Sequence, residues 1–210
     1  MRESATGVGG GVFFPQKTNL TMETLLSILV GIGLAAACGF RVFVPPLIIS
    51  IAAKAGHLKL APGFEWMSSD VALIGFAVAT ALEITAYYVP WLDNLLDTLS
   101  TPAACVAGAV VMAAMVGDLS PFLKWTLALV AGGGAAGVVQ AATVTTRAAS
   151  TVTTGGLANP IVATAEAAGS VAASVLAIVA PVLAVLAVAG FGWLLWRMFR
   201  RRAPVQAVPA

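Results

Sequence analysis

Between residues 161 and 196 the chain runs through apolar residues with one charge, Glu166, and one proline, Pro181. A helix on the surface of a water-soluble protein carries polar residues about every third position, whereas roughly 20 consecutive apolar residues are enough to cross a bilayer. Similar runs occupy 71–82 and 103–116. Only 10% of the residues are charged, 60% are hydrophobic and the mean hydropathy is +0.97, against about a quarter charged in an ordinary soluble domain. So few charges cannot cover a surface in water. Lipid is the solvent for most of the chain, which reads as an all-α integral membrane protein with the bilayer as its first partner.

Matching apolar runs to the length of a span predicts about six helices, near 22–44, 70–89, 102–117, 121–148, 160–180 and 182–199. Residues 1–21, rich in glycine, read as a disordered leader, 22–199 as the membrane domain and 200–210 as a tail. The apolar stretch 25–53 is too long for one straight span, and Pro45-Pro46 is expected to break it. Pro181 is the only turn signal in 161–196. The chain also reads as two three-helix units, 22–117 and 121–199: residues 31–56 lie over 132–156, Glu83 over Glu166 and Pro102 over Pro181. Units with an odd number of crossings are inverted relative to each other, as in many secondary transporters. The first helix of each unit is then broken or re-entrant, and charge asymmetry leaves open which helices span.

Arg197, Arg200, Arg201 and Arg202 follow the last apolar run, which places the C-terminus in the cytoplasm of a cell whose cytoplasmic (inner) membrane holds the protein. They lack the folded basic face with interleaved aromatics that nucleic-acid binding needs, so no nucleic-acid partner is expected. Residues 90–99 put Leu92, Leu95, Leu96 and Leu99 on one helical face and Asp93, Asn94 and Asp97 on the other. That pattern predicts a short acidic helix lying at the interface, anchored by Trp91.

Four ionisable residues lie within or at the ends of apolar runs: Arg41, Glu83, Arg147 and Glu166. A lone charge near the bilayer centre costs about 2.5–3.5 kcal/mol on insertion scales, so such groups pair or line a wet cavity. Two readings stand. Arg41–Glu83 and Arg147–Glu166, or the crossed pairs, are structural ion pairs, or they form a substrate or ion pathway. Asn159, at the end of the hydroxyl-rich segment 151–160, is a further candidate for that pathway. Gly31, Gly33 and Gly39, and Gly132-Gly133-Gly134 with Gly137, either pack helices closely or permit a broken helix.

Catalysis finds no support in the sequence. No serine or cysteine is paired with a histidine base, and no nucleotide loop is present. Cys38 and Cys105 sit in apolar segments without metal-ligand spacing, and His57, the only histidine, falls in a polar loop. No enzyme, no metal and no cofactor is expected.

Gly39-Phe40-Arg41-Val42-Phe43-Val44-Pro45-Pro46-Leu47, Phe64-Glu65-Trp66, Glu83, the segment from Pro90 to Asp97, Thr101-Pro102, Thr154-Gly155-Gly156 and Asn159-Pro160 together resemble the bacterial membrane family known as domain of unknown function 4126. The acidic Trp91-Leu92-Asp93-Asn94 segment is the most specific part of the likeness, which extends over about 25–196. The resemblance implies a small multi-pass membrane protein and no particular activity. From the residues themselves, the expectation is a small secondary transporter or lipid-translocating permease. Its main alternative is a non-transporting scaffold or assembly partner, with or without homo-oligomerisation.

Overall fold

The computed structural model describes residues 22–200, without the side chains of 90–95, 97, 195, 198 and 199. The leader and most of the tail lie outside the described residues. Eight α-helices follow in order: α1 (Met22–Cys38), α2 (Val44–Lys54), α3 (Asp70–Ala86), α4 (Pro90–Met115), α5 (Pro121–Leu127), α6 (Gly134–Thr154), α7 (Asn159–Val179) and α8 (Pro181–Arg200). A 3₁₀ turn (Glu65–Ser68) precedes α3, and a π-helical segment (Ala128–Gly133) joins α5 to α6. No strand occurs among the described residues. The protein is an all-α integral membrane protein.

Among the described residues three helical stretches are long and apolar enough to cross a bilayer: Thr98–Met115, Pro121–Thr154 and Asn159–Val179. Met22–Cys38, Val44–Lys54 and Pro181–Leu194 are apolar but shorter. At 1.5 Å per residue α1 is about 25 Å long, less than the roughly 30 Å hydrocarbon core.

Proline marks where helices begin. It occupies the first turn of α2, α4, α5 and α7 and opens α8, positions whose N–H has no intrahelical partner in any case. Ser69 caps α3 by accepting from the Ala72 N–H (3.2 Å). At the other end of a helix, Gly155 stops α6 with a left-handed φ of 63°.

The second half of α1 forms the centre of the bundle, buried from Gly33 to Cys38 and packed against α4, α6, α7 and α8. Small side chains allow that number of neighbours. α4 crosses the π segment so closely that a Cβ on Gly108 would stand 2.7 Å from the Gly132 carbonyl oxygen and 2.6 Å from Ala136 Cβ. Gly31, Gly33, Gly108 and Gly132 therefore serve close helix packing, whereas Gly134 has open space around it.

Several boundaries differ from those read in the sequence. The break after α1 falls at residues 39–43, not at Pro45-Pro46, because both prolines sit in the first turn of α2, where they replace donors that the helix could not satisfy. The expected helix 121–148 lies within one uninterrupted helical stretch, Pro121–Thr154, whose π segment absorbs the glycines without a re-entrant turn. Thr153 and Thr154 belong to that rod, their hydroxyls donating to the carbonyls of Ala149 and Ser150 (both 2.8 Å). Segment 90–99 is the first part of α4, which continues through Pro102, so it is not a separate helix. A single proline removes one backbone bond, and the turns on either side hold. The side chains of Trp91, Asp93, Asn94 and Asp97 lie outside the described residues. The α7–α8 junction is as expected, with only Ala180 between the two helices.

Candidate functional site: a charge cluster at the helix break

A broken helix leaves backbone donors without partners, and the break between α1 and α2 does so in the interior of the bundle. The Gly39 and Phe40 N–H groups turn back to Ala36 and Ala37 carbonyls (3.0 and 3.1 Å) and close α1. Pro45 and Pro46 have no N–H to satisfy. Val42 and Phe43 remain, and both donate to Glu83 on α3: Val42 N–H to Oε1 (2.7 Å) and Phe43 N–H to Oε2 (3.0 Å). Since Phe43 is the residue preceding α2 and its own side chain caps nothing, Glu83 is the cap of α2 supplied from another helix. A carboxylate at a helix N-terminus also meets the positive end of the helix dipole.

Arg41, in the same break, is 1% exposed. Its Nη2 donates to the Ala163 carbonyl on α7 (2.7 Å) and lies 3.4 Å from Glu166 Oε2, while its Nε and Nη1 have no hydrogen-bond partner among the described residues. Arg147 on α6 engages the same carboxylate, Nε donating to Oε1 and Oε2 (both 3.1 Å) and Nη2 to Oε2. One carboxylate thus serves two arginines. Both guanidiniums also stack on the ring of Tyr87, with Cζ 4.0 Å (Arg41) and 3.8 Å (Arg147) from its centroid. The Tyr87 hydroxyl is 2.6 Å from Ser100 Oγ, which donates to the Leu96 carbonyl (2.6 Å).

Helix periodicity explains why these groups meet. Ala163, Glu166, Ser170, Ser174 and Ala177 are the buried stripe of α7, spaced at three and four residues, and Ser170 anchors that stripe to α1 through the Ala37 carbonyl (3.0 Å). Tyr87 follows Glu83 by four residues, one turn along the same face, in the turn that ends α3.

Four of the five pathway residues named from the sequence therefore converge: Arg41, Glu83, Arg147 and Glu166. Asn159 does not join them. Its Nδ2 donates to Thr151 Oγ1 (3.1 Å) and its N–H to the Gly156 carbonyl (3.1 Å), binding the α6–α7 turn together. Arg147–Glu166 is one of the expected pairs, whereas Arg41 lies beside Glu166 while Glu83 takes backbone donors. Tyr87 escaped the sequence reading, although its four-residue spacing from Glu83 was the signal that could have found it. No cluster of three or more potential metal ligands occurs among the described residues.

Two clefts flank the cluster. One, of about 470 Å³, lies between α3 and α4 with Glu83 and Ser100 on its wall. The other, of about 500 Å³, lies between α6, α7 and α8 with Glu166, Thr143 and Thr146 on its wall. An all-helical membrane protein with a solvent-shielded arginine–glutamate cluster at a broken helix is the class that fold and site define. Residues 28–201 match the family described as Domain of unknown function (DUF4126), and the chain belongs to that family. Neither the curated proteins nor the solved structures contain a match.

Proposed function

We propose that the protein is a small secondary transporter or lipid-translocating permease of a cytoplasmic membrane, without catalytic activity, whose substrate or ion pathway runs past the α1–α2 break. The observation that carries this reading is the Glu83 cap. A carboxylate that holds two backbone N–H groups while it is ionised holds them less well once protonated, so a proton on Glu83 loosens the start of α2. Such a coupling element needs a site beside it, and Arg41 and Glu166 lie on the other side of the same break. A broken helix in one unit and a π-distorted helix at the start of the other support two related halves, 22–117 and 121–199, in inverted orientation. The C-terminal arginines support a cytoplasmic tail. Lipid, or a second copy of the chain, covers the exposed α3 face of Val71, Ile74, Val78 and Leu82.

One observation favours the alternative of a non-transporting scaffold: Glu166 is matched to two arginines in a buried network of the kind that locks a bundle. The two readings separate in a strain deleted for the gene. Under the transport reading, Glu83→Gln and Glu166→Gln protein is inserted and folded yet fails to restore growth. Full complementation by both single variants and by the double variant returns the scaffold reading in its place.

A further inference from the structure

The cleft that carries Glu166 has a neighbour. It shares Phe40 and Phe191 with a second cavity of about 340 Å³, walled by small residues of α1, α7 and α8 such as Ala36, Ala173 and Ala187. The two rings, 6.3 Å apart between centroids, stand between an apolar arm rich in small residues and a part whose polar groups are Thr143, Thr146 and Glu166. Each part lies within the roughly 300–1,000 Å³ of ordinary ligand pockets. The polar part reaches the outside of the bundle beside Ile161 and Leu194, which are 73% and 48% exposed. A ligand that fills both parts is an amphiphile and enters from the lipid.

The chemistry of the polar wall selects its head. Thr143 Oγ1 donates to the Gln140 carbonyl and Thr146 Oγ1 to the Ala142 carbonyl (both 2.9 Å), so each hydroxyl has committed its proton and presents only lone pairs. Glu166 is likewise an acceptor. The head must therefore donate. A cationic head would meet Arg41 and Arg147 around a carboxylate whose charge they already match. An anionic head would find no donor on the lining and a carboxylate facing it. A neutral hydroxyl satisfies both conditions.

The geometry points to a binding site for a neutral, hydroxyl-headed lipid, its chain in the small-residue arm and its hydroxyl among Thr143, Thr146 and Glu166. As a statement about cargo this rests on the permease reading. As a statement about a ligand it does not.

The test uses the full chain in phosphatidylcholine nanodiscs and a long-chain alcohol carrying a diazirine next to its hydroxyl. Crosslinks are mapped by mass spectrometry, with the unlabelled alcohol, the alkane, the ammonium and the phosphate monoester of equal chain length as competitors. Saturable labelling within 140–146, 161–166 or 191–194 is expected, competed at least fivefold better by the alcohol than by the other three. Thr146→Val should weaken labelling about fivefold, as the loss of one hydrogen bond does. Ala187→Phe, which fills the apolar arm from a solvent-facing position of α8, should abolish it. Equal competition by the alkane means annular lipid only, better competition by the ammonium or the phosphate assigns a different head, and labelling indifferent to both variants places the probe elsewhere. Each of these overturns the proposal. Crosslinking reads binding alone, so its failure leaves the complementation result for Glu83→Gln untouched, and failure of that result leaves this a ligand site without cargo.

Discussion

Removal of Glu166 should be the most destabilising change in the cluster, and removal of Arg147 with it should recover part of the loss. Glu166 is 6% exposed and lies within reach of both guanidiniums, Arg147 directly and Arg41 at 3.4 Å. Breaking a buried pair from one side costs about 3–5 kcal/mol, because a charge is left uncompensated. Here two are left. Both guanidiniums stack on Tyr87, which keeps them at most about 8 Å apart, and at an effective dielectric of about 20 their repulsion is about 2 kcal/mol. Glu166→Met is therefore expected near the upper end of the 3–5 kcal/mol range. In Arg147→Met/Glu166→Met that repulsion is gone, and the double variant should be more stable than Glu166→Met by at least about 2 kcal/mol. It should not regain the stability of the unaltered protein, since Arg41 has lost Glu166 even though it keeps the Ala163 carbonyl and Tyr87. Reversible unfolding by titration of sodium dodecyl sulfate into mixed micelles measures all three proteins on one scale. A double variant no more stable than Glu166→Met would refute the shared-carboxylate account.

Glu83→Leu should free the Val42 and Phe43 amides. Because Glu83 is only half-buried, water replaces part of what is lost, and about 1.5–3 kcal/mol is expected, with faster hydrogen exchange across 40–48; unchanged exchange there would show that α2 is not capped by this carboxylate. Gly108→Ala should cost about 1–3 kcal/mol, because the added methyl meets Gly132 backbone and Ala136 Cβ. Gly134→Ala, with nothing within 4 Å of the added carbon, should be neutral or mildly stabilising in the same titration, and equal losses at both positions would contradict the close crossing. A reporter fused after Arg202 should be active in the cytoplasm, and activity confined to the opposite side would reverse the assigned orientation.

Each of the four cluster residues was visible in the sequence for an energetic reason: an ionised group inside an apolar run is costly enough to stand out, whatever the fold around it. Helix existence and the Pro181 junction were legible on similar grounds, since apolar length and a single proline constrain them directly. Which charge answers which was not legible. Partner choice depends on the rotation of α6 and α7 about their axes and on where α1 stops, and neither follows from spacing within one helix. Pro45-Pro46 does not mark the break, because both prolines begin α2, where prolines cost a helix nothing. The break instead belongs with Gly39, whose lack of a side chain lets α1 end against the backbone of α6 around Ala136 and Gln140. Having ended there, the chain must satisfy the amides of Val42 and Phe43 and shelter Arg41 in the protein interior. Glu83 and Glu166 meet those two demands separately. The carboxylates and the break are therefore one feature, since the Val42 and Phe43 N–H groups at the break take Glu83 as their acceptor, and Arg41 and Arg147 share Glu166.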